Sequence, residues 1–218
     1  MKVRPRLIAF FGPDGTGKST HVGLLVNFFR LHKVKVRRVW IRSPHTLAYF
    51  LSRFLVKSGH YRIVLNPFGK KMKIPAVFTG RWFRLFWSLI ELASVIPLIL
   101  FRVYVPLLLG YMVVAERYVV DTVVTIAYFF NDFNFLQSRT AKILLRFVPK
   151  NTVFIHLDSD YLTIVKRRSH IVEPYDFIEF QRVAYGMIGT SVGAKFIDTS
   201  DTSIKQTSSR IMKWLGIN

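Results

Sequence analysis

The stretch Leu7-Ile8-Ala9-Phe10-Phe11-Gly12-Pro13-Asp14-Gly15-Thr16-Gly17-Lys18-Ser19-Thr20 governs how the rest of the chain is read. Leu7–Phe11 is a continuous apolar run of strand length, the pattern of a strand buried on both faces. It runs into Gly12–Ser19, which satisfies G-x-x-x-x-G-K-[ST] in full. Beyond it, Val22, Leu25, Val26 and Phe29 recur at helical spacing, and Leu24, Phe28 and Leu31 widen the apolar face. Strand, glycine-rich loop and helix in this order make a phosphate cradle. The glycines let backbone N–H groups converge on phosphate oxygens without a Cβ in the way, and the helix N-terminus adds partial positive charge. Gly12, Asp14, Gly15, Thr16, Gly17, Lys18, Ser19 and Thr20 are therefore read as a nucleotide-binding loop. Lys18 is expected at the β- and γ-phosphates of ATP, and Ser19 on Mg²⁺.

Working outward, further strands are predicted at Val34–Ile41, Tyr111–Ala115, Thr152–Leu157 and Lys195–Ile197, with helical patterns between them. A last amphipathic helix is predicted at Ile204–Leu215. Alternating strands and helices imply right-handed crossovers, so the fold class is α/β: a three-layer sandwich with a parallel sheet of about five strands and helices on both faces. Ligands in such folds sit at the carboxyl ends of the strands, where the chemistry-bearing residues of this chain also fall.

The 218 residues contain no repeat, linker or composition shift, and are read as one domain spanning 1–218. Cysteine is absent, which excludes disulfide scaffolds, thiolate zinc and iron–sulfur sites and cysteine nucleophiles. The apolar run after the basic start is too short for a signal-peptide core. A cytoplasmic location is expected, with membrane association as the alternative. Thirty-two Lys and Arg against 12 Asp and Glu leave a formal charge of +20, which draws polyanions: nucleotides, nucleic acid or an anionic membrane face.

Four segments resemble the thymidylate kinase family of nucleoside-monophosphate kinases. They are Phe11–Thr20 with its acid at Asp14; Pro106–Tyr118 (PLLLGYMVVAERY), ending in Glu116-Arg117-Tyr118; Leu157-Asp158 followed by Lys166-Arg167-Arg168; and Phe196-Ile197-Asp198-Thr199-Ser200. The resemblance runs from about Leu7 to Leu215. It implies ATP as donor, Mg²⁺ as cofactor, dTMP as acceptor and a homodimer. Glu116 would hold Mg²⁺ or its waters where the family has Asp, or would pair with Arg117 as a strand-end acid. Arg117 would bind the acceptor phosphate, or form a sheet-end salt bridge. Arg167 matches the family's lid arginine by its spacing from Asp158, with Arg168 beside it; both would act on the transferring phosphoryl group from a lid at about 166–178, or sit on a solvated face. Arg42 of Arg42-Ser43-Pro44 would meet the acceptor, or simply belongs to the basic stretch of Lys33, Lys35, Arg37 and Arg38; Asp14, Tyr118 and Asp121 complete that set, with core packing the alternative for Tyr118 and helix capping for Asp121. His45 is a further candidate for the acceptor pocket.

The resemblance also implies an acceptor-binding arginine on the helix before Glu116. The expected stretch, around Trp87–Val103, holds only Arg102, near its end. Instead Leu85–Ala115 is apolar apart from Glu91 and Arg102. Buried helix plus buried strand is the expectation there, since Pro97 and Pro106 interrupt the pattern. The alternatives are an interfacial helix or a lipid or glycan phosphate acceptor at a membrane, with Lys70, Lys71 and Lys73 suited to anionic head groups. A nucleotide-dependent nucleic-acid-binding module is a third possibility, though no nucleic-acid motif accompanies the charge.

Overall fold

The computed structural model describes residues 6–41, 43, 46–65, 71–75, 80–168 and 175–217. Five strands form a parallel sheet in the order β2-β5-β1-β6-β7: β1 (Leu7–Phe11), β2 (Val36–Val39), β5 (Met112–Glu116), β6 (Thr152–Asp158) and β7 (Lys195–Asp198). A separate antiparallel hairpin joins β3 (Tyr61–Leu65) and β4 (Lys71–Pro75).

The sequence of β1 explains the layering. Its five residues are all buried, and successive side chains point to opposite faces. Leu7, Ala9 and Phe11 enter one core with α5 (Val119–Phe130), α8 (Tyr175–Ser191) and the long helix that begins with α3 (Arg81–Ile99). Ile8 and Phe10 enter the other with α1 (Lys18–Leu31) and α9 (Ile204–Trp214). The three-layer sandwich is thus written into one strand. From β1 the chain leaves toward β2 and later returns on β1's other side at β6, so the carboxyl ends around β1 border a crevice.

The expectation of a buried helix in the apolar region holds for one stripe only. The helix is continuous from Arg81 to Leu108, because a π-helical turn at Leu100–Tyr104 lies between Pro97, inside α3, and Pro106, in the first turn of α4 (Val105–Leu108). Trp87, Glu91, Val95, Ile99, Val103 and Leu107 face the core. Trp82, Leu85, Phe86, Leu89, Phe101 and Leu108 face outward. Only 33% of its most apolar window is buried. The strand that follows is buried as expected, one residue later than predicted. Beside α3 packs α2 (Thr46–Lys57), whose Ala48 N–H donates to Ser94 Oγ at 3.2 Å.

Candidate active site

The turn between β1 and α1 is held open by glycine backbone. Gly12, Gly15 and Gly17 have φ of 135°, 93° and 86°, all in the positive-φ region that favours glycine. Gly12 has a second constraint: a Cβ there would lie 1.9 Å from the Leu157 carbonyl oxygen of β6. The loop is braced from within, by Thr16 Oγ1 donating to the Pro13 carbonyl at 2.9 Å and by buried Lys18, whose Nζ donates to the same oxygen. A cavity of about 450 Å³ opens over Asp14 to Thr20 and is closed opposite by Arg167, Thr199, Thr202, Ile204 and Thr207.

Beside the loop, Ser19 Oγ donates to Glu116 Oε1 at the end of β5, so the two residues expected on Mg²⁺ meet. Arg38 of β2 donates to Glu116 Oε2. A hydroxyl and a carboxylate beside a phosphate loop suit Mg²⁺, which keeps several waters and takes few protein oxygens. The guanidinium already lying on that carboxylate is a cationic stand-in. Among the described residues no group of three or more His, Asp or Glu gathers, as a closed all-protein metal cage would need.

On the other side of the loop, Arg117 follows β5 with φ 76°, a left-handed conformation that a non-glycine residue adopts only under constraint. Its N–H donates to Phe10 O at 3.0 Å and its carbonyl accepts from Ile41 N at 3.3 Å, which fix the backbone. Its guanidinium donates to Asp14 Oδ1 and, at 2.6 Å, to Asp121 Oδ1. Asp121 is fully buried and also accepts from Tyr185 OH at 2.8 Å and from Tyr118 N at 3.0 Å, capping α5. Burial disfavours charge on Arg117, but Asp121, Tyr185 and Asp14 outweigh it and hold the guanidinium more firmly protonated than usual. Asp14 further lies 3.8 Å from Lys18 Nζ and 3.9 Å from Arg168. One carboxylate thus gathers three cations from three segments.

The two arginines expected on a lid divide. Arg168, just after α7 (Tyr161–Arg167), lies against Gly15 and near Asp14. Arg167 instead donates to Thr199 Oγ1 at 3.1 Å and Thr199 O at 2.6 Å, on the loop after β7. Tyr118 is not brought to the loop: it is buried in the core and its hydroxyl donates to Phe147 O at 2.9 Å. Arg42, Pro44, His45, Lys70 and residues 169–174 of the expected lid lie outside the described residues. Ser43, between two of them, is buried and donates to Glu91 Oε1 at 2.6 Å. Glu91 is wholly buried on α3, and burial pushes its carboxyl up to about 7 despite the Ser43 hydrogen bond. Arg38, Tyr185, Glu91 and His156 escaped the sequence reading. His156 of β6 stacks on Phe11 at 5.0 Å, and burial, then Lys18, pushes its imidazole down to about 4.

A phosphate loop joined to this sheet order, with helices on both faces, is the fold of a nucleotide kinase. More narrowly, it is the fold of a thymidylate kinase. The chain is similar to the solved thymidylate kinase of Candida albicans, with TM-score 0.61 and 18% identity, over 98% of this chain and 92% of that one; that enzyme is described as having broad substrate specificity. No protein-family model and no curated protein matches the sequence.

Proposed function

We propose that the protein transfers the γ-phosphoryl group of ATP to the phosphate of a nucleoside monophosphate, with dTMP the first acceptor to try. The observation that carries this is the convergence of Lys18, Arg117 and Arg168 on Asp14. A carboxylate that collects three cations at a phosphate loop marks where anionic oxygens are welcome.

The roles follow from position. The loop backbone and Lys18 bind the donor phosphates, while Arg167 and Thr199 border the far side of the donor cavity. Ser19 and Glu116 would hold Mg²⁺, which when bound neutralises charge on the phosphates. Arg117 orients the acceptor phosphate and offsets repulsion between two anions, with Asp14 beside it on the acceptor side. An acceptor oxygen attacks the γ-phosphorus, the bond to the ADP oxygen breaks, and Arg168 lies over the loop where charge spreads. Catalysis is positioning plus neutralisation, with no covalent intermediate.

The test is ADP formation from Mg-ATP with dTMP and other nucleoside monophosphates, beside Lys18→Ala. Turnover with a monophosphate that disappears in the variant supports the proposal. ATP binding that no monophosphate converts into turnover overturns it. A second candidate acceptor is a phosphate carried on a lipid, favoured by the apolar outer stripe of the same helix that bears Glu91.

A further inference from the structure

We propose that the outer face of α2 and of the long helix Arg81–Leu108 docks on an anionic lipid surface. On the long helix, Trp82, Phe86, Leu89, Ala93, Pro97, Phe101, Val105 and Leu108 recur every three or four residues as an outward stripe; Trp82 and Leu108 are each 82% exposed and Phe101 73%. The neighbouring α2 adds Leu47, Phe50 and Phe54 at the same spacing. Isolated exposed apolar residues need no explanation, but a stripe running the length of a 28-residue helix does.

The helix is long and apolar enough to cross a bilayer, yet its other stripe forbids that. Trp87, Val95, Ile99, Val103 and Leu107 are locked in the core, and the next strand is the sheet's own β5. A helix pinned along its length cannot leave its domain, so it can only lie in the plane of an interface.

Charge selects the occupant. The two helices, Thr46–Lys57 and Arg81–Leu108, carry five Lys and Arg (Arg53, Lys57, Arg81, Arg84 and Arg102) and a single acid, Glu91, which is fully buried. Exposed cations flank the apolar stripes: Arg53 and Lys57 on α2, Arg81 and Arg102 on the long helix, and Lys71 and Lys73 on β4, which packs against α2. A second copy would bring this positive rim against its own kind. Anionic head groups complement it while acyl chains receive the aromatics.

The experiment is sedimentation of the full chain with vesicles of phosphatidylcholine alone or mixed with phosphatidylglycerol, at low and high salt. Binding is expected to the mixed vesicles and to weaken with salt. Phe101→Glu or Phe50→Glu should each weaken it about tenfold or more, from the lost burial of one phenylalanine. Both side chains are exposed, so thermal unfolding and ATP binding should not change, which separates loss of docking from loss of fold. Three results would overturn the proposal: no binding to either vesicle, equal binding to both, or binding that the variants leave intact. So would a dimer, seen by ultracentrifugation without lipid, that Phe101→Glu dissociates; the face would then belong to a second copy.

Discussion

Replacing Asp121 by alanine tests the packing around Arg117 most directly. Asp121 is fully buried and Arg117 is 2% exposed, so the variant leaves a guanidinium in the interior with one of its two carboxylate partners gone, the wholly buried one. Three interactions vanish together: the 2.6 Å ion pair, the bond from Tyr185 OH and the cap on Tyr118 N. Breaking a buried pair by removing one partner costs about 3–5 kcal/mol. Asp14 still holds the other guanidinium nitrogen, which places the expectation at about 3 kcal/mol, the low end of that range. Asp121→Asn keeps an acceptor for the cap and should lose less. Adding Arg117→Met to Asp121→Ala should recover part of the loss, since no unpaired buried charge remains. Equilibrium urea unfolding of the four proteins measures all of this. A loss under about 1 kcal/mol for Asp121→Ala, or no recovery in the double variant, would mean that Arg117 does not depend on Asp121 for its burial.

Gly12→Ala should abolish ATP binding and lower the melting temperature, because the new Cβ meets the Leu157 carbonyl at 1.9 Å and φ of 135° is strained for alanine; wild-type binding and melting would contradict the packing of β1 on β6. Arg38→Ala frees one oxygen of Glu116, so nucleotide turnover should saturate at lower Mg²⁺, which a metal titration reads; an unchanged midpoint would separate Arg38 from the metal. For Glu91, burial raises the folded value from 4.5 to about 7, so its contribution to stability is full below 4.5 and lost as pH climbs through 7. Glu91→Gln should therefore gain on the parent by about 3 kcal/mol across that interval, and a pH-independent difference would refute the assignment.

Much of the phosphate-loop half was legible because it is local. β1 was predicted to the residue, since five consecutive apolar side chains meeting a glycine admit one reading. The loop needed only its own spacing. β2 came out shorter than Val34–Ile41 because Val34 belongs to the turn closing α1, its N–H donating to Phe29 O. The β3–β4 hairpin was missed: lysines and a terminal proline look like a loop. Arg38 was hidden in a basic run, and its meaning depends on register. Pairing of Arg38 with Val114 puts it on the same sheet face as Glu116, two residues further along β5. Tyr185 lies 64 residues from Asp121, and nothing local could have joined them. The outer stripe of Arg81–Leu108 was obscured by prolines that usually end helices, and that the π turn here accommodates.

The two halves of the site are fixed by different physics, and so would fail differently. Around Gly12–Lys18 the geometry is a backbone property: left-handed glycines, a close approach to β6 and a helix N-terminus, none of which depends on side-chain charge. Around Arg117 it is charge on top of strain. A left-handed arginine stores about 1–3 kcal/mol and persists only where its surroundings over-determine it. Here two backbone hydrogen bonds, Asp121 from beneath and Asp14 from the loop supply that determination. Asp121 is inaccessible, so it orients Arg117 whatever is bound. Asp14 is partly exposed and shared with Lys18 and Arg168, so on the proposed function an arriving phosphate would compete with it for cations that are already gathered. Losing Asp121 should therefore damage the fold first, whereas losing Asp14 should leave the fold standing and change how phosphate is received.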